Sequence, residues 1–162
     1  MREELTCALD LRKKGALEAS SEMLENLVHE FPEDAEIHYQ AAWSYDLLGE
    51  EAKAVPHYEK AIASTALLSE ERAGAFIGLG STYRTLGEYE KSRHTLLKGL
   101  ALFPENRAMQ TFYAMTLYNL EAHQEAMEYL LTCLIDTTQD ADILRYQQAI
   151  TFYADQLDKV WE

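Results

Sequence analysis

Apolar residues recur at intervals of three and four along nearly the whole chain, and short turns interrupt the pattern. Residues 76–104 show it most clearly, with one apolar face before Gly87 and another after it. The positions on these two faces are Phe76, Leu79, Gly80 and Tyr83, then Tyr89, Ser92, Leu96 and Gly99. A period of 3.6 residues predicts two short amphipathic helices, neither of which can bury its apolar face alone. The chain therefore requires several helix hairpins that cover one another.

Three glycines punctuate this pattern at nearly even intervals. The interval from Gly49 to Gly87 is only slightly longer than the interval from Gly15 to Gly49. Each glycine stands where a first helix ends, and glycine tolerates the left-handed conformation that closes such a helix. Glu121 stands one repeat length after Gly87, at the place where a fourth glycine is expected, so the fourth turn departs from the pattern.

The order of aromatic, Leu-Gly, Tyr, small residue and closing Pro in residues 76–104 resembles the tetratricopeptide repeat, a unit of about 34 residues. The resemblance, to small proteins of the bacterial type in this family, covers nearly the whole chain. It implies an all-α fold, a right-handed superhelical α-solenoid of four repeats with a C-terminal capping helix. The expected repeats are about 1–34, 35–68, 73–106 and 107–140, then one capping helix at 141–161, in a single domain over 1–162.

Residues between the hairpins predict how the helices begin and end. Pro32 and Pro104 cannot continue a helix, so they close units one and three. Asp34 then serves as the N-cap of the next helix, and Ser69 is expected to cap the first helix of unit three. Four extra residues within 65–72 predict a longer helix or loop between units two and three.

The resemblance also implies a function, because the first helices of such repeats line a concave groove that usually holds a peptide or helix of another protein. The groove positions carried over are Leu9, Arg12, Tyr39, Trp43, Ile77, Ser81, Arg84, Thr111, Met115 and Tyr118. Aromatic residues and arginine most often dominate binding interfaces. Whether Trp43 and the tyrosines face the groove or the core stays open at this point. A basic clamp for a C-terminal carboxylate is not expected, since Leu5, Leu9 and Tyr39 hold its places.

Charge and composition narrow the class of partner. The 162 residues include 28 acidic and 14 basic ones, for a net charge of −14. No strong basic footprint is present, so a nucleic-acid partner is not expected. No apolar run is long enough to span a bilayer, and the chain opens in amphipathic helix, so cytoplasmic location without a membrane partner is expected. The acidic surface favours solubility, or else selects a basic partner.

Residues that could carry chemistry do not form a recognisable motif. The chain has no phosphate-binding glycine loop, no His-Glu-x-x-His pair and no Cys-x-x-Cys, and its five histidines are scattered over different helices. We therefore expect no enzyme activity, no metal, no cofactor and no small-molecule substrate. Cys7 and Cys133 fall on apolar helix faces at opposite ends of the chain, which predicts two small core residues that cannot pair.

Two functions from different classes fit these observations. The first is an adaptor or scaffold that captures a segment of another, unidentified protein in its groove. The second is a self-assembly module, chiefly a homodimer, because the last helix carries more apolar residues than one stripe requires. The residues expected on that dimer surface are Tyr146, Tyr153, Val160 and Trp161. A regulatory domain without a dedicated peptide ligand is a third reading.

Overall fold

The computed structural model describes residues 2–162, and within them the chain forms ten α-helices and no β-strand. The helices are α1 (Arg2–Lys13), α2 (Leu17–Glu30), α3 (Ala35–Leu47), α4 (Glu51–Ala63), α5 (Ser69–Thr85), α6 (Tyr89–Leu102), α7 (Arg107–Asn119), α8 (His123–Thr137), α9 (Ala141–Arg145) and α10 (Gln147–Tyr153). The all-α prediction is confirmed for the described part of the chain.

Helices α1 to α8 form four consecutive pairs, and each pair packs on the next. Within each pair the two helices contact each other along their length. The second helix of each pair also contacts the first helix of the following pair, and α1, α3, α5 and α7 contact one another in that order. This arrangement is a solenoid of helical repeats, as the spacing of apolar residues predicted.

The turns inside the pairs have the backbone geometry that the glycines predicted. Gly15, Gly49 and Gly87 have φ angles of 84°, 71° and 77°. In the third turn the amide of Glu88 donates to the carbonyl of Tyr83 at 2.9 Å, which closes the helix in a Schellman-type turn. Left-handed glycines at these three places are therefore confirmed.

The fourth turn adopts the same geometry without glycine. Glu121 has a φ of 62°, and the Ala122 amide donates to the Leu117 carbonyl at 3.0 Å. A residue with a side chain is strained in this conformation, by roughly 1–2 kcal/mol. The packing of α7 on α8 therefore imposes the turn even where the local sequence disfavours it.

Small residues let neighbouring helices approach closely inside the stack. A methyl group on Gly80 of α5 would lie 2.5 Å from Leu96 Cγ of α6, and one on Gly99 would lie 2.6 Å from Met109 Sδ of α7. Leu96 and Met109 are completely buried and belong to one core cluster with Phe76. The small positions of the repeat pattern therefore set the distance between α5, α6 and α7.

Of the two predicted caps, one is present and one is not. The Asp34 carboxylate accepts a hydrogen bond from the Ile37 amide at 3.1 Å, which confirms it as the N-cap of α3. Ser69 is not a cap, because α5 already begins at Ser69 and the preceding Leu68 makes no side-chain capping bond. The extra residues thus lengthen α5 at its start, so this helix begins before the position 73 expected for its repeat.

The prediction of a single capping helix at 141–161 is wrong, because two short helices, α9 and α10, occupy this part of the chain. The helix breaks at Tyr146, whose ψ of 15° lies outside the helical range, and α10 ends at Tyr153. Contacts of Gln124, on α8, explain why the helix does not continue beyond Tyr153. Its side-chain amide donates to the Ala154 carbonyl at 2.9 Å and accepts from the Leu157 amide at 2.8 Å. These bonds hold the backbone in an irregular path.

The two cysteines differ from each other in burial. Cys133 is buried, and its thiol donates to the Gln110 side-chain carbonyl at 3.0 Å. Cys7 is exposed, so the prediction of a core position was wrong for this residue. The apolar face of α1 is narrower than its sequence suggests, because only Leu5 and Ala8 are buried on it.

Replacing Glu121 by glycine should stabilise the fold. Glycine removes the strain of the left-handed conformation, and the flexibility that it adds to the unfolded chain offsets part of that gain. We expect the free energy of unfolding to rise by about 0.5–1 kcal/mol, measured by urea denaturation. Glu128→Gly, at an exposed position inside α8, should instead lower it by about 1 kcal/mol. If Glu121→Gly destabilises the protein as Glu128→Gly does, the strain at position 121 is refuted.

Candidate functional site

The groove positions lie on α1, α3, α5 and α7, the four helices that contact one another in a row. The structure gathers six of the ten into two groups at different places along this row. Arg12, Tyr39 and Trp43 form one group on α1 and α3, and Arg84, Met115 and Tyr118 form part of another on α5 and α7. The remaining four serve mainly in packing or border small depressions.

Arg12 and Trp43 form the best-defined contact of the first group. The guanidinium of Arg12 lies 4.3 Å from the centre of the Trp43 ring, within the range of a cation–π interaction. Arg12 also donates to the Gln40 backbone carbonyl at 3.2 Å and to the Ser44 hydroxyl at 3.3 Å. Trp43 keeps 43% of its surface exposed, so this tryptophan is a surface residue and not a core residue.

Tyr39 completes this group and ties it to α5. Its ring centre lies 6.0 Å from that of Trp43 and 6.4 Å from that of Tyr58 on α4. Its hydroxyl lies over Gly74 of α5, where a methyl group would collide with it. Burial raises the pKa of Tyr39, and Glu71 raises it further. The phenol is therefore neutral and half-buried.

Arg12 is more constrained than an arginine on a solvated helix face. Burial is the main cause that lowers its pKa, but an arginine remains charged at any physiological pH. The cation is thus fixed in place by α3 before any ligand arrives. The group presents an aromatic surface with a held positive charge beside it.

Asp46 connects three helices beneath the same surface. Its carboxylate accepts a hydrogen bond from the Tyr58 hydroxyl at 2.7 Å and another from the Thr82 hydroxyl at 2.9 Å. Burial raises the pKa of Asp46, whereas these two hydrogen bonds lower it. Because α3, α4 and α5 each contribute one member, the network fixes how the second and third helix pairs face each other.

The second group surrounds an apolar depression of about 340 Å³ between α7, α8 and the end of α5. Arg84 donates to the Asn119 side chain at 3.1 Å, and Tyr118 lies 5.1 Å from the His123 ring. Sequence reasoning did not foresee the contributions of His123, Met127 and Leu130 of α8. The repeat spacing carried a signal for Leu130, because it occupies the position of Leu96 in the preceding unit.

The other four groove predictions have more ordinary environments. Leu9 packs against the core cluster around Leu24, and Ile77 packs against the core cluster around Leu96. Ser81 borders a depression of about 170 Å³ beside Asp46. Thr111 donates its hydroxyl to the Arg107 carbonyl at 2.8 Å, within its own helix. The role of these four residues in partner binding stays a prediction.

The residues expected on a dimer surface are all exposed. Tyr146 and Tyr153 lie at the two ends of α10, and Val160 and Trp161 follow in the irregular segment. Trp161 lies 5.6 Å from Phe152 and 6.5 Å from Tyr153 between ring centres. The C-terminal segment therefore presents an aromatic cluster at the surface.

A partly buried histidine pair was missed by sequence reasoning, which treated His38 only as a departure from an aromatic packing position. The Nδ1 atoms of His38 and His57 lie 2.8 Å apart, and His38 Nε2 lies 2.8 Å from the Pro32 carbonyl oxygen. Since a carbonyl only accepts, His38 Nε2 carries a proton. In the tautomer that carries only this proton, His38 accepts at Nδ1 from His57 Nδ1. The two histidines lie on different helices and are distant in sequence, so no local spacing signals the pair.

The pair is arranged so that His57 remains neutral. Burial lowers the pKa of His57, and the neighbouring His38 and Lys60 lower it further. Glu25 of α2 acts in the opposite direction, and the Tyr45 ring of α3 stacks on His57 at 5.6 Å. Burial, as the largest cause, thus makes protonation of His57 unfavourable.

No group of three or more His, Cys, Asp or Glu side chains within residues 2–162 is placed to hold a metal ion. None of the helices formed by the described residues is both long and apolar enough to cross a bilayer.

The fold and the small-residue contacts define a helical-repeat protein. The sequence profile described as Tetratrico peptide repeat matches residues 35–157, well over half of the chain. The chain belongs to the tetratricopeptide-repeat family. This family is generally a non-catalytic interaction fold.

Solved structures of two named proteins are similar in fold. The structure of MamA from Desulfovibrio magneticus RS-1, residues 41 to the end, aligns with a TM-score of 0.72 and 14% sequence identity. The alignment covers 94% of this chain and 88% of the MamA chain. The structure of PilF from Pseudomonas aeruginosa aligns with a TM-score of 0.70 and 18% sequence identity. The alignment covers 99% of this chain and 77% of the PilF chain. At these identities the likeness shows the fold alone. No protein among the curated ones matches the chain significantly.

The histidine pair predicts a loss of stability in mild acid. The unfolded chain binds a proton at position 57 as the pH falls through about 6.5, whereas the folded chain binds it only at lower pH. The unfolding free energy should therefore decrease below pH 6.5. His57→Asn retains a donor near the Nδ1 position and cannot titrate, so the decrease between pH 7.5 and pH 5.5 should be smaller in this variant.

Urea denaturation at several pH values measures this effect, and the comparison is between slopes rather than absolute stabilities. His29→Asn, at an exposed position of α2, is the matched control and should leave the wild-type slope unchanged. Equal slopes for wild type and His57→Asn would show that the pair does not oppose protonation.

Proposed function

We propose that this chain is a non-catalytic interaction module that holds a segment of a partner protein along α1, α3, α5 and α7. The observation that carries the proposal is the group formed by Arg12, Tyr39 and Trp43. In this family the row of first helices lines the concave surface, and the three side chains lie on that row. Half-exposed aromatic residues beside an arginine are the usual centre of a protein interface.

The geometry of this group favours binding because its side chains are ordered in advance. Trp43 is fixed by Arg12 on one side and Tyr39 on another, and Arg12 is fixed by bonds to Gln40 and Ser44. A rigid anchor loses little side-chain entropy when a partner docks. The open part of the Trp43 ring can then bury apolar surface of the partner.

The same contacts argue against catalysis. Two ionisable groups with shifted pKa values, Asp46 and His57, already bond to protein partners within and between the repeats. Their arrangement serves packing rather than a reaction. We also propose the cytoplasm as the location, since Cys7 is exposed as a free thiol and such thiols persist in reducing compartments.

Replacing Trp43 by alanine tests the proposal. Proteins bound to immobilised wild type and variant are identified and quantified by mass spectrometry, and the affinity of the recovered partner is then measured with purified protein. We expect binding to weaken by about 2 kcal/mol, roughly 30-fold, because Trp43 supplies the central apolar contact. Trp43→Phe should retain part of the affinity.

The control is Trp161→Ala, which removes a tryptophan of similar exposure from the C-terminal segment, outside the groove. Circular dichroism verifies that each variant is folded. If the partner binds Trp43→Ala and wild type with equal affinity, the groove assignment is wrong.

A second candidate function is self-association, and the exposed C-terminal cluster favours it. Val160 keeps 88% of its surface exposed and Trp161 keeps 50%. Contiguous apolar surface of this kind in a soluble protein commonly marks an interface. Tyr146, Tyr153, Val160 and Trp161 are proposed as the surface of a homodimer, which is compatible with a partner in the groove.

A further inference from the structure

The apolar depression between α7 and α8 exists because the repeat pattern is interrupted after the fourth pair. In the third pair, Leu96 is completely buried, in a cluster that includes Met109, Tyr113 and Leu117 of the following helix α7. Leu130 is its counterpart in the fourth pair and keeps 37% of its surface exposed. The segment that follows α8 forms two short helices with no buried residue in either. The face that a fifth repeat would cover is therefore only partly covered, by the contact of α10 with α8.

The charge of this depression is opposite to that of the chain as a whole. The chain has 28 acidic residues and a net charge of −14. None of the residues lining the depression is acidic, and its basic side chains are Arg84 and His123. The depression thus combines an apolar floor with a basic edge.

Arg84 retains hydrogen-bonding capacity for a ligand. Its Nη1 atom donates to Asn119 Oδ1, and the side chain as a whole is only partly buried. A guanidinium has five N–H donors, so this single bond leaves other donors for a carboxylate. An incoming acidic group beside an apolar side chain would fit both features of the site.

The C-terminal segment of the chain has this complementary composition. Phe152, Tyr153, Val160 and Trp161 form its exposed apolar cluster, and we call residues 152–162 the C-terminal knob. Within 155–162 there are three acidic side chains, Asp155, Asp158 and Glu162, and one basic one, Lys159. The knob is therefore apolar and acidic, whereas the depression is apolar and basic.

The knob is held away from the depression of its own chain. Gln124 binds the backbone at Ala154 and Leu157, which fixes the start of the knob against α8. With these bonds in place the depression lined by Met115, Met127 and Leu130 remains open. A second copy can therefore supply the occupant without breaking the contacts of the first.

We propose that the C-terminal knob of one copy docks into the α7–α8 depression of a second copy. The exchange is reciprocal in a twofold dimer, so each dimer contains two identical contacts. Trp161 or Val160 fills the apolar floor, and an acidic side chain of the knob meets Arg84. This inference rests on the second candidate function, self-association, and the depression shares Arg84, Met115 and Tyr118 with the α5–α7 end of the groove row.

Sedimentation equilibrium of the full chain tests the proposal. We expect a reversible dimer for wild type. Arg84→Glu, which damages the depression, and Trp161→Ala, which damages the knob, should each raise the dimer dissociation constant by at least about tenfold. Arg93→Glu, a charge reversal at an exposed position of α6, and Trp43→Ala in the groove are controls that should leave it unchanged.

Mixing the two damaged variants gives the decisive measurement. A homodimer of either variant has no intact contact, whereas a mixed dimer pairs the intact depression of Trp161→Ala with the intact knob of Arg84→Glu. The mixture should therefore dimerise more strongly than either variant alone. A loss of folding in either variant would not produce this complementation.

The alternative outcomes distinguish self-association as such from the specific contact between the knob and the depression. A wild type that remains monomeric at high concentration overturns both self-association and the knob contact, and leaves groove capture to its own test. A dimer that both variants leave intact, or a mixture that associates no better than its components, overturns only the knob contact. A monomer in which Arg84→Glu alters Trp161 fluorescence would place the knob in its own depression and would also overturn it.

Discussion

The structure depends on one constraint, which is that a two-helix hairpin of this length cannot cover its own apolar faces. Leu96 shows how the constraint is met, since it packs beneath Gly80 of its own pair and joins Met109 and Tyr113 of the next pair in one cluster. Each pair is therefore stable because its neighbours are present, as in other repeat proteins. Within residues 2–162, the first and fourth pairs differ from the middle ones because each packs on only one other pair.

Buried polar groups give this apolar stack a fixed alignment. Ser20 donates to the Ala8 carbonyl at 2.8 Å, and Ser92 donates to the Gly80 carbonyl at 2.7 Å, so the first and third pairs use the same link between their two helices. Asp46 then joins the second pair to the third. Buried polar groups are costly without partners, so these bonds disfavour alternative alignments of the helices.

Features that depend on periodicity could be predicted from the sequence, whereas features that depend on contacts between distant residues could not. The 3.6-residue period and the glycine turns are local properties, so the helix pairs and the cap at Asp34 could be read directly. The broken C-terminal helix depends on Gln124, which lies far away in the chain on α8, and no local pattern reports that contact. The site shows the same division, since the family resemblance placed Trp43 on the groove row but could not determine its exposure or its contact with Arg12.

The attachment of the C-terminal segment through Gln124 has a consequence for motion. One side-chain amide, and not a ladder of helical bonds, joins this segment to α8 at Ala154 and Leu157. Its release breaks these two hydrogen bonds and the local packing of α10 on α8, while the four helix pairs keep their own contacts. Amide hydrogens beyond Tyr153 should therefore exchange with solvent through a local opening that is much less costly than global unfolding. The apolar cluster of this segment thus has a degree of freedom that the repeats themselves lack.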